Sequence, residues 1–493
     1  RQYNTISING SAVAPQQVGL GVIYSETKTQ RDYFLDKAFR KESGRSAFYE
    51  TSNATLAEVE NLLQELEGED FATALKNLWT SVQDLANVPE QASNQSVFVQ
   101  RAYEFLTRAD AVYKGLADYQ DNMNASIKGD VERINGIGNE IRELNEAILR
   151  VESGKVERAN DLRDRREYLL DELGTLANIS YDYDIFGNVN VKIEGNDFIK
   201  PDMVNEMAIY TDPTTGFHTP YWKQLATTYI DAFGEEQINI EGATVFNLDK
   251  IISSEMNTDI GSLKSTLINR GDHRANYEDL QAKPNDPDYY DREISQSVIM
   301  NMQAEFDQLV NKVAEGINQI LTDAANAAQA SDPDYMRDSY GNPLQLFNKI
   351  SPSGSYSVSN MTINDELRQA PTLLGFIRSD GQVDRETTTK LKELFDKREY
   401  TLNPNVATKV NLSGYYNSMV SQVANTGSVF REICANQEMT VNGLNGAREQ
   451  VVGVASDEEM GNMIMFQNAY NASSRYINVI SEMLEHLLTT LGR

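Results

Sequence analysis

Cysteine is almost absent from this chain: Cys434 is the only one in 493 residues. A lone cysteine excludes an intrachain disulfide and a structural zinc site built on thiolates. Histidine is scarce too. His218, His273 and His486 are the only three, and none stands in the H-x-x-x-H or H-E-x-x-H spacing that puts two ring nitrogens on one metal. Positive charge is in deficit, with 44 Lys and Arg against 73 Asp and Glu, a net charge of −29. That leaves no basic face to neutralise nucleic-acid phosphates or to hold an anionic membrane surface. No stretch approaches the roughly 18–20 apolar residues of a membrane span. No charged-then-apolar leader opens the chain.

Motifs for catalysis are missing as well. Neither G-x-x-x-x-G-K-[ST] nor G-x-G-x-x-G occurs, so nucleotide binding has no support. His218 in TGFHTPYW and His273 in GDHRAN read as surface residues, and His486 as a solvated residue on the polar side of a helix. Cys434 has no positioned histidine beside it and reads as a small buried side chain. The D-P-D pairs Asp286/Asp288 and Asp332/Asp334 lack the glycine and closing glutamate of a calcium loop; they read as turns with solvated carboxylates. Gly136 and Gly138, inside a helical pattern, read as close-packing positions. No catalytic, cofactor-binding or metal-ligating set can be assembled, and an enzyme is the least favoured class.

What the chain has is helical periodicity at both ends and β-like patterning between. Residues 1–24 read as extended. Helical character begins near Thr27, and Thr55–Leu66 and Phe71–Ala86 follow as amphipathic helices, with Pro89 as a break. From Ser96 to Leu149 one pattern runs, with Leu116, Tyr119, Met123, Ile127, Ile134, Ile137, Ile141, Leu144 and Ile148 spaced by three, four and seven, the seam of a rod-like helix. Ala159–Leu176 is a further helix. Alternation in NVNVKIEG, MAIYTD, FHTPYW and QINIEGATVFNL marks β-rich structure over about 179–270. KPNDPDYY reads as a polar linker. Helix returns at Ile294 with Val298, Met302, Phe306, Leu309, Val313, Ile317 and Ile320 in a stripe. Residues 331–380 are irregular with a small β element, and helix resumes from Tyr415 to about Gln450.

The fold class expected is therefore mainly α with an inserted β-rich domain, around a long helical core built from both ends of the chain. The domains expected are 1–178, first half of the helical core; 179–285, the β-rich insert; 286–455, second half of the core, with the irregular insert near 331–380; and 456–493, a terminal helix.

That last stretch carries the most information. Ser456 and Glu459 stand in capping-box spacing, and Asp457, Glu458 and Glu459 place negative charge at a helix start. Met463, Phe466, Tyr470, Ser473, Ile477, Ile480, Leu484, Leu487 and Leu491 follow at alternating gaps of three and four, a coiled-coil seam. Two readings are open: a closing helix on the protein's own core, or an assembly helix that buries its stripe against neighbouring subunits.

The residues DEEMGNMIMFQNAYNASSR resemble the C-terminal signature of the axial proteins of the bacterial flagellum, through Asp457, Glu458, Glu459, Met460, Asn462, Met463, Ile464, Phe466, Gln467, Ala469, Tyr470, Ala472, Ser473, Ser474 and Arg475. ANDLRDRREYLLDEL is similar to the motif of the family's hook-associated, hook–filament junction branch, with Ala159, Asn160, Asp161, Leu162, Asp164, Arg166, Leu169 and Leu173 matching and Glu167 in place of the usual Asp. Residues 71–101 resemble the same branch.

The resemblance implies an extracellular structural subunit, exported by the flagellar type III route without a cleaved leader. It implies a homo-oligomeric ring between the hook protein and the third hook-associated protein on the filament side. It also implies a cytoplasmic export chaperone that masks residues near 456–493. In the family an N-terminal helix pairs with the C-terminal one. No counterpart precedes Arg1 here, so the terminal helix is expected to be short of its partner in a monomer. Some residues of the ANDLRDRRE motif are expected to fix the bend between helical core and β domain, against a plain reading as surface i,i+4 pairs among Asp161, Asp164, Arg165 and Arg166. The alternatives are another axial protein, such as the third hook-associated protein or a flagellin, or an unrelated secreted adhesin with a helical stalk.

Overall fold

A computed structural model describes residues 2–9, 19–28, 31–64, 70–154, 158–231, 234–453 and 456–491. Two strands open the chain, β1 (Gln2–Asn9) and β2 (Gly19–Lys28), paired antiparallel. The first helix, α1, is Tyr33–Gln64. It starts where Asp32 accepts from the backbone N–H groups of Phe34 and Leu35, which places the start later than the expected Thr27. The segment 55–64 belongs to this same helix, because no proline interrupts it. Helix α2 (Phe71–Asn87) is capped by Asp70, which accepts from Thr73 N at 2.6 Å. After the turn at Pro89, Asn94 donates to the carbonyls of Asp84 and Val88 and so satisfies the end of α2.

Helix α3 (Ala92–Glu152) runs for 61 residues, about 90 Å at 1.5 Å per residue. Its two halves serve two cores. The first half joins α1, α2, α6 (Val298–Ala328), α8 (Arg385–Asp396) and α9 (Leu412–Val452) around Leu78, Phe98, Phe105, Phe306, Val313, Phe395 and Met419. Trp79 stacks on Phe395 at 5.2 Å, and Phe71 meets Phe105, Phe306 and Tyr416. The second half, from Ile127 to Ile141, is covered by α4 (Asn160–Leu176) and by strands around Val189, Val191, Phe198 and Trp222.

Those strands are β3 (Ile179–Tyr183), β4 (Val189–Ile193) and β5 (Asn196–Ile199) in an antiparallel meander, with β6 (Met207–Thr211) paired to β7 (His218–Trp222) and β8 (Thr227–Ile230) to β9 (Glu236–Asn239). The range read as β-rich also contains a short helix, α5 (Ser262–Arg270). Its side chains are buried nearly all round, so no polar face betrays it. The KPNDPDYY segment leads into a one-turn π-helix at Tyr290–Ile294, where Tyr290 and Ile294 pack on Met300 and Ala304. The small hairpin β10 (Phe347–Lys349) with β11 (Met361–Ile363) and the short helix α7 (Asp365–Gln369) cover α3 and α6 in the 331–380 region. Helix α8 lies in a stretch where no element was expected, although Asp384 caps it by accepting from Thr387 N and Thr388, Leu391 and Phe395 form its buried face.

Close approach fixes where α1 crosses α4. A Cβ on Gly44 would sit 2.4 Å from the Gly174 carbonyl oxygen, so both backbones meet without side chains between them. The last helix, α10 (Ser456–Leu491), stands apart from all of this.

Candidate assembly site

Two features answer to the residues singled out by sequence. The first is α10. Met463, Phe466, Tyr470, Ile477, Ile480, Leu484, Leu487 and Leu491 all lie exposed, from 39 % at Ile480 to 79 % at Leu491. Asp457, Glu459, Gln467 and Arg475 are exposed as well, and of the side chains described on α10 only that of Ser474 is partly covered. The capping-box residue Ser456 and the acidic Glu458 lie outside the described side chains. The closing-helix reading fails among the described residues, where α10 covers no part of the core. The sequence reading also saw only one stripe. Ile464, Met465, Tyr476, Val479, Met483 and Leu488 are exposed too, so apolar surface extends round more of the helix than a single seam. A helix apolar on several sides is made to be enclosed.

The second feature is the junction where α4 leaves the helical body and the β meander begins. The plain surface-pair reading of ANDLRDRRE does not hold here. Asp161 and Asp164 are exposed and Leu162 is half-buried, but Asn160, Arg166 and Glu167 are buried. Arg165 pairs across to Glu140 on α3 at 2.7 Å, and Arg163 grips Glu152 with two nitrogens at 2.7 and 2.8 Å. Arg166 donates through Nη1 to Asn145 Oδ1 and to the Gly187 carbonyl, at 2.8 and 2.9 Å. Asn145 in turn bonds both the N–H and the carbonyl of Val189 at the start of β4. One buried amide therefore locks α3, α4 and the meander together.

Glu167 belongs to a closed ring of alternating charge. Arg31 meets Glu167 at 3.2 Å and Asp36 at 3.5 Å; Asp36 meets Arg448 at 2.8 Å; Arg448 meets Asp171 at 2.8 Å; Arg40 joins Asp171 and Glu167, each at 2.7 Å. The ring ties α1, α4 and the last turns of α9, and Arg448 also lies over the Phe39 ring at 4.1 Å. Burial opposes ionisation of both Arg40 and Glu167, yet their mutual charge prevails: Arg40 is raised and Glu167 held below the usual carboxylate range. Tyr183 donates to Glu167 Oε1 at 2.6 Å. A third tie runs from Arg45 and Tyr49 on α1 to the fully buried Asp259, each at 3.0 Å.

The remaining candidates resolve as follows. His218 is half-buried and shares a hydrogen bond with Thr211. His273 is not a plain surface residue. Its ring nitrogens lie 2.6 Å from Asp272 and 3.2 Å from Asp279, and against the effect of burial these carboxylates raise it to about 9. His486 is exposed. Cys434 is half-buried rather than buried, and desolvation pushes its thiol up. Asp286 pairs with Arg292 at 2.7 Å, and Asp332 accepts from Ser379 N at 2.7 Å. Gly138 is a close-packing position, 2.5 Å from the Phe198 ring for an added Cβ, whereas Gly136 has open space around it. Sequence reasoning missed two buried carboxylates on α6. Glu305 accepts from Asn301, Asn403 and Gln422, and Asp307 accepts from Val358 N and Tyr277 N. Desolvation pushes each up to about 7. Their charge among the apolar positions of α6 was legible; the absence of a facing cation was not. Among the described residues no group of three or more His, Cys, Asp or Glu side chains converges to hold a metal, and no helix is long and apolar enough to cross a membrane.

The comparisons agree with this architecture. Residues 56–333, more than half of the chain, match the flagellar hook-associated protein FlgK helical domain, and residues 450–490 match the flagellar basal body rod FlgEFG protein C-terminal region. Flagellar hook-associated protein 1 of Bacillus subtilis is 23 % identical over 99 % of this chain and 90 % of its own length. Its counterpart in Salmonella typhimurium is 20 % identical over 97 % and 92 %. In fold, the flagellar hook junction protein FlgK from Burkholderia pseudomallei superposes with a TM-score of 0.58 at 12 % identity, over 85 % of this chain and all of that one. The chain belongs to the FlgK family of flagellar hook-associated proteins.

Proposed function

We infer that this chain is a non-enzymatic structural subunit of the extracellular flagellum, placed where hook meets filament, and that α10 is the element by which it assembles. The observation that carries the reading is the uncovered apolar surface of α10 in a chain whose other long helices are buried along one face. Burying a large apolar side chain is worth about 1.5–3 kcal/mol, so eight of them give on the order of 10–20 kcal/mol gross. Ordering and association costs take back much of that. The exposed apolar surface on several sides fits enclosure by more than one neighbouring helix, as in a homo-oligomeric ring that contacts hook protein on one side and the third hook-associated protein on the other. The same surface needs masking before export, which fits a cytoplasmic chaperone bound over residues 456–493. The ionic ring at the junction holds the body rigid while α10 engages its neighbours.

The test is removal of residues 456–493. The truncated chain should keep its helical body and its melting transition yet fail to enter the axial structure. Immunogold labelling of the intact protein should mark a narrow band at the base of the filament. A truncated chain that assembled normally, or label spread along the filament or over the cell body, would overturn the reading.

A further inference from the structure

Tight turns favour Gly, Asn, Asp and Ser, yet the turn between β3 and β4 carries Ile185 and Phe186 at its tip. They are 92 % and 64 % exposed. The turn that holds them is firmly built. Asp184 Oδ1 accepts from the backbone N–H groups of Phe186 and Asn188, and Oδ2 from the Asn188 side chain, each at 2.8 Å. Gly187, at φ +84°, donates to the Asp184 carbonyl at 3.0 Å. Arg166 then holds the Gly187 carbonyl to α4, and Asn145 holds Val189 to α3. None of these bonds uses the side chain of Ile185 or Phe186. Two apolar side chains are thus presented to solvent on a preorganised support, which lowers the ordering cost of any contact they make.

The turn stands at the end of the body from which α10 leaves. Tyr183 donates to Glu167, a member of the ionic ring, and Arg448 near the end of α9 belongs to the same ring. From Gly453, which caps α9, α10 begins at Ser456, a step of roughly 10 Å of extended chain at most. One end of each copy therefore carries both an uncovered apolar helix and an uncovered apolar knob, and the copy's own α10 covers neither Ile185 nor Phe186. A helix apolar on several sides needs more cover than a single neighbouring helix supplies. We propose that Ile185 and Phe186 are an anchor by which one copy holds the α10 of the next copy. This rests on the assembly reading above and names a second contact for the same helix. A contact between two unlike patches repeats head to tail, and closes into a ring when the rotation allows. Copies that each carry a charge of −29 repel one another, which favours uncharged surface at the point where they meet.

The test replaces the knob in the full chain. Ile185→Ser with Phe186→Ser should leave the thermal melt unchanged and lower incorporation into the axial structure at least tenfold, read by quantitative immunoblot of purified organelles. Should the pair lower the melt, Ile185→Ser alone decides. Crosslinking then identifies the occupant. With the single native cysteine removed as Cys434→Ser, chains bearing Phe186→Cys are mixed with chains bearing Phe466→Cys, Tyr470→Cys or Ile477→Cys, and treated with a short bismaleimide. Dimers joining the two kinds of chain in assembled organelles, and absent from dilute monomer, are expected at one or more of the three positions. Normal incorporation of the serine variants, or no such dimer at any position, would overturn the anchor. If the chain lacking 456–493 still failed to assemble, the assembly reading would stand without it; if that truncated chain also entered normally, both would fall.

Discussion

Helices α6 and α10 carry the same kind of stripe and meet opposite fates. In α6, Met302, Phe306, Leu309, Val313 and Ile317 are at most 2 % exposed, enclosed by α3, α8 and α9. In α10, residues of equal size at the same three–four spacing lie in the open. Periodicity states which face of a helix needs cover; it does not state whether the cover comes from the same chain. The difference lies in the neighbours. The stripe of α6 is covered by α3, α8 and α9, while α10 follows Gly453 at the end of α9 and no element among the described residues covers it.

The sharpest way to break this comparison is to disrupt each stripe in turn. Leu484→Asp on α10 should leave the melting temperature unchanged and abolish incorporation into the axial structure, read by electron microscopy of the assembled organelle. Phe306→Ala on α6 should do the reverse at the level of the body, costing about 3–5 kcal/mol through lost transfer energy and a cavity, read by urea unfolding. If Leu484→Asp destabilised the body as much as Phe306→Ala, α10 would be part of the core after all.

The junction offers the next effect in size. Glu167→Gln leaves Arg40 buried without one of its two counter-charges. Removing one partner of a buried pair costs about 3–5 kcal/mol, partly offset here because Asp171 still meets Arg40 at 2.7 Å. A loss of about 2–3 kcal/mol is therefore expected, together with faster hydrogen exchange at the end of α9, which the ring holds through Arg448. Unchanged exchange there would show that the ring does not couple α9 to α4.

Next in size comes a pH dependence set by α6. The folded state raises Glu305 from its ordinary value near 4.5 to about 7, through desolvation and against three donated amide hydrogen bonds. A raised carboxyl favours the protonated folded state, so its contribution is full below the ordinary value and is lost as pH climbs through 7. The loss is on the order of 3 kcal/mol at most. Asp307 moves the same way, as does His273, whose stabilising charge is lost as pH rises through about 9. Glu305→Gln should thus be near neutral at pH 5 and stabilising at pH 9, since Oε2 has no partner to lose. Parallel stability–pH curves for parent and variant would show that Glu305 is not the titrating group.

Much of this was legible and the limits were physical. Long helices, the Pro89 break, the strands after Ile179 and the terminal stripe announce themselves through period and caps. Helix α5 did not, because a helix buried on all sides has no alternation to read. The ANDLRDRRE residues were legible as a motif and illegible as contacts. Arg40 is 127 residues from Glu167 and Arg448 is 277 from Asp171, and no local spacing rule reaches that far. His273 read as a surface residue for another reason: Asp279 is in view only six positions on, but spacing alone does not say that both carboxylates point at one ring.

The two glycines of α3 sharpen the same lesson at the smallest scale. Gly136 and Gly138 are two residues apart and look alike in sequence, yet they face opposite surroundings. A methyl group on Gly138 would meet Phe198 at 2.5 Å and Val204 at 3.1 Å, both on the β side of the junction. Gly138→Ala is therefore expected to cost about 1–3 kcal/mol by overpacking and to loosen the meander against α3. Gly136 is exposed and an added methyl meets nothing within 4 Å, so Gly136→Ala should gain roughly 0.5–1 kcal/mol from helix propensity and reduced unfolded-state entropy. Thermal melts of the two single variants are enough to decide. Opposite signs mean that the β insert grips α3 along one line only. Equal signs would mean that the meander slides or rotates on the rod, and that the buried Asn145–Arg166 lock does not hold its register.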